Sequence, residues 1–161
     1  STLHSFSGPD GAFPYARLLE GSNGLVYGTT TQGGFHLGTV FSLAVDTTPP
    51  SLTAAANVTS LWPPSGKSMP VVITGTISDS GSGVDLASGT YSTVDSYGLA
   101  QPSGTFAIGA GGSYSFTVSL EARRNGTDIA GRTYTVTVQG RDKAGNTAIA
   151  TVVVTVPHDQ R

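Results

Sequence analysis

A two-residue rhythm constrains this chain more than any other feature. Tyr134-Thr-Val-Thr-Val-Gln-Gly140 and Tyr114-Ser-Phe-Thr-Val-Ser-Leu120 alternate cleanly. Val71–Ser78 sets Val, Ile, Gly and Ile on one face and Val, Thr, Thr and Ser on the other, and Ala148–Val156 follows more loosely. Successive side chains of a β-strand point to opposite faces, so such runs put one set in a core and the other in water. No stretch sustains a helical period. Short runs rich in Val, Thr, Tyr and Phe, bounded by Gly, Pro, Asn and Asp, read as strands. The expected fold class is all-β.

The strands fall into two groups. A composition break lies near residue 46, where Asp46-Thr-Thr-Pro-Pro50 reads as a stiff extended linker, because successive prolines fix φ. Domain boundaries of 1–46 and 47–161 follow. In the first segment strands are expected near Leu3–Phe6, Ala16–Glu20, Leu25–Thr30 and Thr39–Ala44, with Asn23-Gly24 as a hairpin turn. They make a small antiparallel meander, for which Phe6, Phe13, Tyr15, Tyr27, Phe35 and Phe41 supply the core. After Pro50, strands near 52–58, 71–78, 88–95, 104–108, 113–121, 133–141 and 147–156 make seven, and Gly145-Asn146 turns between the last two. Seven strands in about 110 residues fit an immunoglobulin-like sandwich.

Composition then excludes whole classes of function. Charged residues are 11% of 161, the net charge is −2, and only Lys67 and Lys143 are lysines. Phosphate binding needs clustered Lys and Arg, so nucleic acid is not an expected partner. The longest apolar run is short, so no membrane insertion is expected. With no cysteine there is no disulfide framework and no thiolate site. No Gly-x-Ser-x-Gly elbow, His-Glu-x-x-His or phosphate-cradling loop occurs, and Glu20 and Glu121 are the only glutamates, one in each segment. The chain is not expected to be an enzyme. Lacking an initiator Met and a signal-peptide pattern at its first residues, it reads as a processed or excised piece.

Two family resemblances cover most of the chain. Phe6, Asp10-Gly11, Pro14-Tyr15, Leu18, Gly24-Leu25, Tyr27-Gly28-Thr29-Thr30, Gly33-Gly34 and Gly38-Thr39-Val40-Phe41 carry the first. On these, residues 3–43 resemble one unit of the GloVer-type tandem repeat of secreted bacterial proteins, which implies a single propeller-blade-like β repeat. Leu61-Trp62-Pro63-Pro64 with Lys67, Leu120-Glu-Ala-Arg-Arg-Asn-Gly126 with Gly131-Arg132-Thr-Tyr134, and Asp142-Lys-Ala-Gly-Asn146 with Val156-Pro-His-Asp-Gln160 carry the second. Residues 47–160 resemble a bacterial extracellular Ig-like domain, with Ala144 where the family often has cysteine. This resemblance implies an extracellular or cell-surface location and no catalysis.

Candidate sites are few. In an Ig-like sandwich Asp46 lies at the chain's entry, Asp79 and Asp85 in the B–C loop, and Asp142 in the F–G turn. Four carboxylates at one pole suit calcium, which takes six to eight oxygens. The plainer reading is that these aspartates cap turns through their own backbone. Trp62, Tyr91 and Tyr97 are candidate glycan-stacking faces, although a lone tryptophan is more often a core plug. Arg123, Arg124 and Arg132 with Glu121 form the only cationic cluster, more naturally a loop pin than an anion clamp. His4, His36 and His158 are divided between the segments and are read as structural or solvent-facing.

A lone meander of about 45 residues buries too little to be stable alone and leaves sheet edges open. The expected function is a non-catalytic structural module that self-associates by strand pairing into an extracellular filament, matrix or adhesive assembly. Its partners would be other copies of itself or tandem repeats of the parent protein. The alternative is a carbohydrate-binding accessory module of a larger secreted protein.

Overall fold

The computed structural model describes residues 2–22, 25–34 and 37–159, and among these it is all-β, without a helix. The chain divides into two compact units, Ser1–Asp46 and Thr47–Arg161.

Unit 1 is an antiparallel sheet of β1 (Leu19–Glu20), β2 (Leu25–Thr30) and β3 (Thr39–Ala44), in that order. Residues 3–6 form no strand, and the expected strand at 16–20 shrinks to two residues. The local reason is backbone conformation. Gly8, Gly11 and Phe13 all have positive φ, and Pro9 and Pro14 interrupt the same stretch, so only isolated bridges form (Gly8 to Gly11, Ala12 to Gln32). The Asn23-Gly24 turn, Phe35 and His36 lie outside the described residues.

The unit is held by small residues at close quarters. The Thr30 hydroxyl donates to the Gln32 carbonyl (2.8 Å) and accepts the Thr39 N–H (3.0 Å), while the Thr39 hydroxyl lies 3.2 Å from the Asp10 carbonyl. A Cβ on Gly33 would stand 2.5 Å from the Gly11 Cα, so neither can be larger. A Cβ on Gly28 would strike Phe41 and Leu18. The aromatics divide, contrary to the expectation of a shared core. Phe6 packs edge-on against Phe41 at 4.9 Å, but Phe13 and Tyr15 are exposed. Three short strands leave too little interior to cover them.

Unit 2 holds eight strands. They are β4 (Ser51–Leu52), β5 (Ala55–Ala56), β6 (Ser68–Ser78), β7 (Thr90–Asp95), β8 (Ser103–Thr105), β9 (Ser113–Glu121), β10 (Arg132–Arg141) and β11 (Thr147–Val156). One sheet runs β11-β10-β7-β8, and the other is built on β6, with β9 on one edge and β4 and β5 on the opposite one. All pairings are antiparallel. The strand expected at 52–58 is split, because Thr53 turns aside: its carbonyl accepts the Tyr114 hydroxyl and its own hydroxyl sits 2.9 Å from that of Thr76. Gly75 faces that crossing, where a Cβ would fall 2.0 Å from the Thr53 carbonyl oxygen.

Alternation does what the sequence rhythm predicts. Along β10 each second residue is buried, and the inward set includes Tyr134, Val136 and Val138. They share one core with Val152, Val154 and Val156 of β11 and with Val71, Ile73, Val118 and Leu120 from the other sheet. Two antiparallel sheets sharing one core make a sandwich-like layer pair.

Candidate functional site

The acidic residues are placed by turns. Asp142, the residue after β10, is fully buried. Its Oδ1 accepts the N–H groups of Gly145 (2.7 Å) and Asn146 (2.8 Å), and its Oδ2 accepts the Asn146 side-chain amide (2.7 Å). Asp79 closes the loop after β6, its Oδ2 accepting the N–H groups of Gly81 (3.0 Å) and Gly83 (2.7 Å). These contacts are the turn-capping chemistry of Asp. The two loops also meet, with a carboxylate oxygen of Asp79 within 4.8 Å of one of Asp142. Asp85 instead accepts the Ala87 N–H and lies 3.7 Å from the Arg141 guanidinium. Asp46 ends unit 1. Two residues later the Thr48 carbonyl faces the Asn146 amide at 3.5 Å, so the start of unit 2 runs beside the Asp142 turn. Asp79 and Asp142 could supply a hard cation with carboxylate oxygens. An open cleft of about 680 Å³ lies alongside, lined by Asp79, Asp85, Leu86, Gly112 and Lys143 among others.

The ring candidates fare differently. Tyr91 stacks on Phe116 at 4.6 Å within a run of rings that continues through Phe106 to Tyr114. Tyr97 donates to Asp128 (2.7 Å), accepts the Asn125 N–H (3.0 Å) and lies under the Arg132 guanidinium. Both rings are thus engaged in packing. Trp62 is 39% exposed, while its neighbour Leu61 enters the core.

The centre of charge in unit 2 is Arg132, and the sequence reading gave it only a minor place. Its side chain is buried, as is that of Asp95, whose Oδ2 accepts Nε at 2.8 Å and Nη2 at 2.5 Å. Glu121 takes Nη1 at 3.1 Å, and the Tyr134 ring lies 4.6 Å from the guanidinium carbon. Burial alone would raise the Asp95 carboxyl, but hydrogen bonds from Arg132 and the Leu99 N–H outweigh it and hold the pKa below the ordinary value. Burial pushes the Tyr134 hydroxyl up to about 12. Arg124 turns the other way, to the carbonyls of Pro157 (3.1 Å) and His158 (3.0 Å), and fastens the exit of β11. This is the loop-pinning role expected of the cationic cluster. His158 lies beside Asp159, and in unit 1 His4 lies beside Asp10.

The third feature is the surface of unit 1. Leu3, Phe13, Tyr15, Leu18, Leu19, Leu37, Val40 and Val45 are all exposed there. Among the described residues that is eight large apolar side chains in unit 1 against nine in the much longer unit 2, so exposed apolar residues are about twice as dense on unit 1. Gly21–Val45 contains no Asp, Glu, Lys or Arg at all.

No family model matches the chain, and no curated protein and no solved structure matches it.

Proposed function

We propose that the chain is a non-catalytic structural module of a secreted or cell-surface bacterial protein, and that it self-associates by β-strand pairing. The observation that carries this reading is the surface of unit 1: apolar, uncharged along 25 residues and edged by an open strand. Main-chain pairing needs no charged side chains, which suits a chain with 11% charge. In this reading unit 1 is a GloVer-type repeat and unit 2 an Ig-like domain, whose outward threonines on β10 and β11 suit a half-solvated antiparallel sheet. Its partners are further copies or neighbouring repeats, in a filament, matrix or adhesive assembly. Sedimentation velocity across a wide concentration range, with negative-stain microscopy, tests it. Assemblies that grow with concentration are expected; a strict monomer at high concentration, with unit 1 folded, overturns it.

One observation favours the glycan-binding reading, namely the exposed Trp62 beside Pro63-Pro64. Loss of glycan-array binding in a folded Trp62→Ala variant would support it. Calcium at Asp79 and Asp142 belongs to the structural proposal, and a melting temperature indifferent to chelator removes it.

A further inference from the structure

We propose that β3 of unit 1 pairs antiparallel, about a two-fold axis, with β3 of a second copy of this chain. Two three-stranded sheets then become one of six strands. The proposal rests on the self-association reading above and names the strand that carries it.

β3 is hydrogen-bonded to β2 alone among the described strands, in a continuous register from Thr30–Thr39 to Leu25–Ala44 with no bulge. Exposed edges are ordinarily guarded by charge, proline, bulges or brevity. Thr39-Val-Phe-Ser-Leu-Ala-Val45 has none of these, and its β-branched and aromatic residues without charge, Pro or Gly are the pattern that favours strand stacking. The other edges are better guarded. β1 has two residues and ends in Glu20. β11 is met near its end by Thr59–Leu61, whose backbone bonds to Thr155 on both sides. β9 is bridged by Ile108 at Tyr114 and runs out into Glu121, Arg123 and Arg124.

Side-chain chemistry selects an identical strand as the occupant. With the axis at Ser42, Val40 of one copy lies opposite Ala44 of the other, Phe41 opposite Leu43, and Ser42 opposite itself. Directly opposed residues share a face, so from Val40 to Ala44 each exposed residue meets an exposed one and each half-buried residue a half-buried one. No like charges oppose each other. A two-fold pair is self-complementary and closes as a dimer, so growth beyond it takes a second contact elsewhere on the chain. It also lengthens a sheet that is marginal at three strands.

The chain has no cysteine, so one introduced thiol reports proximity cleanly. In the full chain, Ser42→Cys is expected to form a disulfide-linked dimer under mild oxidation, whereas Ser92→Cys, at an exposed position of the inner strand β7, stays uncrosslinked. Ser42→Lys and Val40→Lys, each checked for an unchanged circular dichroism spectrum, are expected to lose the dimer boundary in sedimentation velocity. Crosslinking of Ser42→Cys no faster than Ser92→Cys, or a dimer boundary kept by both lysine variants, overturns the β3 assignment. Assembly that persists in those lysine variants leaves self-association standing on another surface. A monomeric wild type removes both readings.

Discussion

Arg132 shows what one residue can hold in unit 2. Its guanidinium joins β7, β9 and β10 through Asp95, Glu121 and Tyr134. Removing one partner of a buried pair leaves the other charged in a low-dielectric interior, which costs about 3–5 kcal/mol. Arg132→Met is therefore expected to lower the urea midpoint sharply, and Asp95→Asn to lower it less. Thr93 predicts the opposite sign. Its hydroxyl is buried without a hydrogen-bond partner. Thr93→Val removes that unpaired group at nearly constant shape and should stabilise unit 2 by about 1 kcal/mol, read from the same unfolding curves. Acid acts on both units. The Ser7 N–H and His4 hold Asp10 down at about 2, against an ordinary 3.8. A depressed carboxyl gives stability that is present above its unfolded pKa and is lost as pH falls through the folded one. Stability should therefore be level above about pH 4 and fall between pH 3.8 and about 2. Asp10→Asn should flatten that slope for unit 1, as followed by amide hydrogen exchange at Ala12 and Gln32.

Strands and turns follow simpler rules, and their failures are local. Gly75 sits inside β6, where a strand interior normally gains from a side chain. It is glycine because Thr53 and the Tyr114 hydroxyl occupy the space a Cβ would take. Gly75→Ala is expected to destabilise unit 2 by at least about 1–3 kcal/mol and to release the β4–β5 crossing, which hydrogen exchange at Thr53 and Thr76 would detect. The expected strands near 71–78, 113–121, 133–141 and 147–156 match β6, β9, β10 and β11 because each has a long run of alternation, loosest in the last. Leu3–Phe6 fails because Leu-His-Ser-Phe is too short to carry partner information, and the glycines and prolines that follow direct the chain into bends.

The two units differ in how much of their own surface they cover. Unit 2 has a core fed by both sheets, whereas unit 1 holds together through glycine and threonine contacts and leaves Leu3, Leu18, Leu19 and Leu37 exposed. Unit 2 is expected to fold alone: residues 47–161 should melt cooperatively at a temperature within a few degrees of the corresponding transition in the full chain. The same fragment should lose self-association, because β3 is gone. A fragment that still assembles would move the interface onto the sandwich-like unit.

Period-two alternation set the strands and the all-β class, because it depends only on neighbours in the chain, and the composition break with Pro49-Pro50 set the division near residue 46. The same alternation carries a hint of the buried charges. Arg132 shares its parity with Tyr134 and Val136, and Asp95 shares its parity with Tyr91 and Thr93, so both charges point inward on their strands. Parity demands a buried partner without naming it. That Arg132 meets Asp95 across 37 residues, that Tyr91 and Tyr97 are spent on packing, and that Phe13 and Tyr15 stay in water were decided only by register and by how little unit 1 can bury. Those are properties of strands brought together from distant parts of the chain, and no local pattern encodes them.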